Sequence, residues 1–169
     1  QVDFEDIYME GITKITDTDF KYAEVLGAEI KLLAQGKMED GNFYAMVAPK
    51  MIKEENPLYS VRGVFNSILV KGNTLGEVMF YGSGAGKLPT ASAVVADVIE
   101  VTKHQNQNIV TIWSNKKLEP ANHDEMENSF FVRVPAADAE KAKNAFGDIA
   151  EVSANITHEY AFVTKKHSC

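Results

Sequence analysis

Three glycines at alternate positions, Gly82, Gly84 and Gly86, constrain this chain more than any other feature. They separate a β-prone run, Val78-Met79-Phe80-Tyr81, from a stretch with Pro89 at its start and Ala91, Val94, Val95, Val98, Ile99 and Thr102 at helical spacing. A strand must turn tightly into a helix here, expected over 89–103 with Pro89 as its first residue. Glycines let a backbone approach a ligand closely, and a helix start offers unpaired N–H groups and a positive dipole end. Such a loop suits a phosphate, a carboxylate or the amide of a nicotinamide. Two standard phosphate loops do not fit. Three residues, not four, separate Gly82 from Gly86-Lys87, and Leu88 stands where a phosphate loop needs Ser or Thr. The spacing G-x-G-x-G also departs from the dinucleotide fingerprint G-x-G-x-x-G. Spacing alone leaves a ligand loop and a plain strand-to-helix turn equally open.

The elements before the loop alternate in type. Thr16 can cap a helix over about 17–26, with Asp19 near its free amides and Gly27 closing it. Ala28, Ile30, Leu32 and Ala34 fall on one face of a strand, and Glu29, Lys31 and Gln35 on the other. Asp40-Gly41 signals a hairpin into Phe43, Ala45 and Val47, with Pro49 expected to end that strand. A second hairpin is expected from Ile68-Leu69-Val70 and Val78–Tyr81 around Gly72-Asn73-Thr74-Leu75-Gly76. The order helix, hairpin, hairpin, helix predicts an α+β fold, helices packed on a mainly antiparallel sheet. Beyond a polar break at 104–108, a strand is expected at 109–113 and a linker around Pro120. A β-α-β-β unit should follow: a strand at 130–134, a helix at 136–146 closed by Gly147, and strands at 152–155 and 158–164.

Composition excludes several classes. With 17 basic against 24 acidic residues and a net charge of -7, the chain lacks the cationic surface a nucleic-acid partner requires. Lys116-Lys117 and Lys165-Lys166 are too short for that and read as solvated surface. No apolar run approaches the roughly 18 residues that span a bilayer, so no membrane association is expected. Residues 1–12 are acidic and carry no apolar signal core. A single cysteine, Cys169, rules out a disulfide framework or zinc cluster, and a reducing, cytoplasmic setting is expected. His104, His123, His158 and His167 show no mutual ligand spacing, so no metal site is expected. Asp17, Asp19, Glu54 and Glu55 read as capping or surface carboxylates rather than a catalytic pair. Ser83 does not sit in a G-x-S-x-G elbow. The chain begins at Gln1, and a piece of a longer protein is expected.

At this level of detail the sequence resembles a family. The segments Glu10–Ile15, Asp19–Ala23, Leu26-Gly27 and Ile30–Ala34 are similar to the substrate domain of bacterial homoserine dehydrogenase. So are Asn56-Pro57-Leu58, Val61-Arg62-Gly63-Val64-Phe65-Asn66, Tyr81–Gly86 and Leu88–Asp97. The similarity runs in order over about residues 2–103. It implies an NAD(P)-dependent oxidoreductase interconverting L-homoserine and L-aspartate 4-semialdehyde, on the route to threonine and methionine. The implied cofactor is NADP or NAD, held mainly by a Rossmann domain outside this chain.

The resemblance also implies an organisation. Residues 1–108 would be the substrate-binding and dimerisation domain, 109–128 a linker, and 129–169 a truncated ACT-like regulatory domain. The implied partners are a second copy, paired through the sheet domain, and a small-molecule substrate. The family's catalytic Lys and the acids that hold homoserine lie in a segment preceding the equivalent of Gln1, so no catalytic residue is assigned, and the chain alone is expected to be inactive. The loop does carry over: Gly86 corresponds to the glycine that contacts the cofactor, and Gly82 and Gly84 shape the same turn. Ser83 stands where Pro is common in the family. Pro135-Ala136-Ala137-Asp138 replaces the D-x-P-G stretch that follows the first ACT strand. The competing expectation is a stand-alone dimeric module that senses an amino acid.

Overall fold

The computed structural model describes residues 1–166. The described residues form a small α+β fold with three separate sheets and few helices. Contacts divide it into two compact units, one formed by Gln1–Lys53 with the described residues from Asn115 onward, the other by Glu54–Ser114.

The first unit opens with β1 (Tyr8–Met9) and α1 (Asp17–Val25). α1 starts where Thr16 and Asp19 predict. The Asp19 carboxylate accepts from the Thr16 amide and hydroxyl, both at 2.7 Å, which satisfies a group the helix start would otherwise leave bare. Gly27, at φ +63°, takes the chain out of the helix. β2 (Ala28–Glu39) and β3 (Asn42–Lys53) pair antiparallel along their full length. Their turn is Asp40-Gly41, at φ +49° and +83°, the backbone a tight two-residue hairpin requires.

β3 does not end at Pro49, as expected, but runs on to Lys53. β1 pairs with β3 only at Met46 and Val47, so the far side of β3 is an open edge by Pro49 and its missing N–H interrupts no ladder there. Tyr44, Ala48 and Ile52 are buried on one face of β3. Leu33 stands opposite Ala48, while Leu32, on the other face of β2, is 45% exposed.

The same unit includes the C-terminal β-α-β-β run. β4 (Phe131–Pro135), β5 (Ile149–Val152) and β6 (Glu159–Thr164) form a sheet in the order β4-β6-β5, all antiparallel, with α2 (Ala139–Phe146) between β4 and β5 in the chain. The second strand of the run, β5, lies before the expected 152–155, because Asn155, at φ +57°, belongs to the turn. Ala142, Ala161 and Phe162 are buried, and the Phe162 ring meets Phe146 at 5.3 Å. Tyr22 of α1, 1% exposed, reaches the Phe131 ring at 5.3 Å, so α1 and this sheet share a core. The stretch 115–128 is not a free tether. Leu118 N–H donates to the Gln1 carbonyl at 2.8 Å and Ala121 N–H to the Phe43 carbonyl at 2.7 Å.

The second unit holds β7 (Phe65–Gly72), β8 (Gly76–Ser83) and α3 (Lys87–Lys103). β7 and β8 make a two-stranded antiparallel sheet with Ile68 opposite Phe80 and Val70 opposite Val78. The two hairpins therefore lie in separate sheets, where one mainly antiparallel sheet was expected. The strand expected at 109–113 is absent. Ile109, Val110, Ile112 and Trp113 carry β-forming side chains, but among the described residues no neighbouring strand supplies a ladder, and all four are exposed.

Candidate functional site

β8 ends at Ser83 and α3 begins at Lys87, so the glycine segment is the strand-to-helix turn the sequence predicts. The helix starts two residues earlier than expected, and Pro89 is its third residue rather than its first. That place also tolerates proline, because the first-turn amides have no intrahelical partner. Thr90 N–H donates to the Gly86 carbonyl at 3.1 Å. Pro89 has no N–H to give. The amides of Lys87 and Leu88 are therefore the two donors that the helix itself cannot satisfy.

The three glycines differ in what they do. Gly86 sits at φ +122°, ψ 151°, a backbone that side-chain-bearing residues rarely adopt, and a Cβ there would lie 3.4 Å from Pro89 Cδ. Gly84 permits a close approach. A Cβ on it would fall 1.4 Å from Nδ2 of Asn66 and 2.6 Å from its Cγ. Its N–H donates to the Val64 carbonyl at 3.2 Å, which fixes the loop against the entry to β7. Gly82 is ordinary strand backbone opposite Asn66, with open space where a Cβ would stand. The turn thus brings together Gly84, Gly86, the α3 amides and the exposed carboxamide of Asn66. Asn66 is a polar group that spacing arguments missed. It lies 18 positions before Gly84, and only the hairpin register places it beside the loop.

The remaining polar candidates are spread over the chain. His104 Nδ1 lies 3.2 Å from the Glu100 carboxylate at the end of α3. His123 stacks on Tyr8 with ring centroids 3.9 Å apart and lies 3.0 Å from Asp124. His158 lines a hollow of about 390 Å³ with Asp19, Arg133 and Glu159. His167 and Cys169 lie outside the described residues. Among the described residues, no group of three or more His, Cys, Asp or Glu side chains could hold a metal ion. No helix among them is long and apolar enough to cross a membrane. Asp19 is a cap, as expected. It also forms an ion pair that sequence reading missed: Arg133 Nε lies 3.1 Å from its Oδ1, and Arg133 Nη1 lies 3.4 Å from Glu159 Oε2. Burial pushes the nearby Tyr22 phenol above its usual range, and the Glu159 carboxylate adds to the shift.

A sequence model of the homoserine dehydrogenase family matches residues 1–99. The homoserine dehydrogenase of Neisseria gonorrhoeae is 34% identical over 166 residues, which cover 94% of this chain and 37% of that protein. Two crystal structures are similar to almost the whole chain. The Staphylococcus aureus homoserine dehydrogenase at pH 7.5 gives a TM-score of 0.71 at 29% identity, over 99% of this chain and 43% of its own. The enzyme from Thiobacillus denitrificans gives 0.73 at 29% identity, over 98% and 41%. The chain therefore spans well under half the length of these relatives. The glycine turn, at Gly82–Gly86, lies within the matched segment. On this evidence the chain belongs to the homoserine dehydrogenase family.

Proposed function

We propose that this chain supplies the substrate-side and C-terminal parts of an NAD(P)-dependent homoserine dehydrogenase, and that its glycine turn is where the cofactor's nicotinamide meets it. The observation that carries the reading is the turn itself. Gly86 holds a backbone that other residues rarely adopt, two unsatisfied amides open α3, and the Asn66 carboxamide stands beside them. These groups suit the polar edge of a nicotinamide: N–H donors for its carboxamide oxygen, and no side chain at Gly84 or Gly86 to hold the ring away. The nicotinamide, when bound, gives or takes the hydride in the interconversion of L-homoserine and L-aspartate 4-semialdehyde. The chain's own residues orient the ring and exclude water on that side. The proton donor and the groups that grip the substrate belong to the part of the enzyme preceding Gln1, so the chain by itself should not turn over.

Three further points belong to this reading. The two-stranded sheet of β7 and β8 serves a dimer. Residues 1–108 act as the substrate and dimerisation domain, 109–128 as the connection, and 129–169 as an ACT-like regulatory part whose order β4-β6-β5 is that of an incomplete β-α-β-β-α-β unit. The setting is the cytoplasm, in threonine and methionine biosynthesis.

The test is a coupled absorbance assay with L-homoserine and NADP or NAD. The chain alone should give a flat trace. The full-length protein carrying it should be active, and Gly86→Val in that protein should lower kcat/KM per folded molecule by about 100-fold. Turnover that rises with the amount of pure 169-residue chain would overturn the reading, as would unchanged kinetics in the variant.

A further inference from the structure

We propose that Arg133 is a two-armed tie that couples the C-terminal sheet to the start of α1, so that a displacement of β4 is felt at that helix. The inference goes beyond the cofactor turn, which lies in the other compact unit.

One carboxylate serves both a helix cap and an ion pair. Asp19 Oδ2 holds the Thr16 amide and hydroxyl at 2.7 Å, which caps α1. Its Oδ1 lies 3.1 Å from Arg133 Nε, on β4. The second arm of Arg133 reaches Glu159, the first residue of β6, at 3.4 Å. One guanidinium therefore spans a helix cap and two strands of the C-terminal sheet. A planar fork of fixed N–H directions suits such bridging, and a lysine ammonium would not span both partners in the same way.

Separation and shielding together distinguish this pair: Lys117–Asp3 is as distant in sequence but exposed, and Lys31–Glu29 is shielded but joins near neighbours. Lys14–Glu10, Lys37–Glu39 and Lys141–Asp138 join near neighbours in sequence and are largely exposed. Asp19 and Arg133 lie 114 positions apart, and their side chains are only 13% and 24% exposed. A shielded pair escapes most salt screening, and loss of one partner leaves the other charge poorly solvated. The cation also lies 6.0 Å from the ring centroid of Tyr22, the α1 residue packed on Phe131. Ion pair and ring contact thus cross the same boundary. If Arg133 moves with β4, Asp19 is either drawn along, which stretches its Oδ2 contacts to Thr16, or loses the cation that orients its carboxylate through Oδ1, and both loosen the α1 cap.

Hydrogen exchange on the intact protein tests this. Arg133→Met keeps most of the side-chain stem and removes the charge. The expected result is exchange on the order of tenfold faster at the amides of Phe20–Leu26, with β2, β3 and β5 protected as before. Arg133→Lys should fall between Met and the native residue. Combining Arg133→Met with Asp19→Asn should accelerate α1 by less than the product of the two single effects. Should Arg133→Met fail to fold, Glu159→Gln removes one arm only and should give a smaller acceleration in the same segment. Unchanged exchange in α1 with either variant would overturn the proposal. So would uniform acceleration across every strand, or strictly multiplicative effects in the double variant.

Discussion

At Gly82, Gly84 and Gly86 the same residue type answers three different needs, and substitution should separate them. Gly82→Ala meets open space on strand backbone, so its stability change should stay within about 0.5 kcal/mol. Gly84→Ala drives a methyl into the Asn66 carboxamide. Asn66 is exposed and can swing away, so the stability loss should be about 1 kcal/mol or less, while the amide leaves the loop. Gly86→Val forces a branched side chain onto φ +122° and should cost about 1–3 kcal/mol. Urea unfolding of the three variants at constant m-value checks the order. Spacing alone showed a tight turn but could not rank its glycines, because the ranking depends on a cross-strand neighbour and on a dihedral angle. Tyr22 gives a pH prediction. Its folded-state pKa is raised, chiefly by burial, so above pH about 10 the unfolded chain loses this proton before the folded one does. The folded state then binds more protons, and stability should fall as pH rises. Tyr22→Phe should flatten that fall in denaturant midpoints measured from pH 9 to 11, and an unchanged slope would count against the assignment.

Among the elements, those with local causes were legible. Thr16-x-x-Asp19 and Gly27 mark both ends of α1, and Asp40-Gly41 sets the register of twelve-residue strands. Thr16→Ala should destabilise by about 1 kcal/mol, since α1 then loses the hydroxyl contact to Asp19. A shift in the denaturant midpoint without a change of slope would show it. The misread elements had non-local causes. Whether Pro49 stops a strand depends on β1 covering β3 only at Met46 and Val47, which no window around Pro49 contains. Residues 109–113 have strand-forming side chains, but a strand exists only where another offers a ladder. Arg133 and Glu159 carry no local signal, and only the β4–β6 register sets them near each other and beside Asp19.

For the whole molecule, the surface of the second unit argues for a second copy of the chain. Asn66, Ile68 and Val70 of β7 share a face with Val78 and Phe80 of β8, by strand alternation and pairing. Ile68 is 66% exposed and Phe80 63%, directly opposite each other. A two-stranded sheet is marginal alone and leaves both edges unpaired. Contiguous exposed apolar side chains of this kind mark an interface, and a two-fold axis lets the same face serve both partners. We therefore expect light scattering at micromolar concentration to give about twice the chain mass of 18.7 kDa. Ile68→Lys combined with Phe80→Lys would set cations facing each other across that axis, where they repel and stay desolvated. The double variant should scatter as a monomer and keep the hydrogen-exchange protection of β2 and β3, which belong to the other unit. A native chain that remains monomeric at every concentration would refute the dimer, and a double variant that remains dimeric would move the interface off this face.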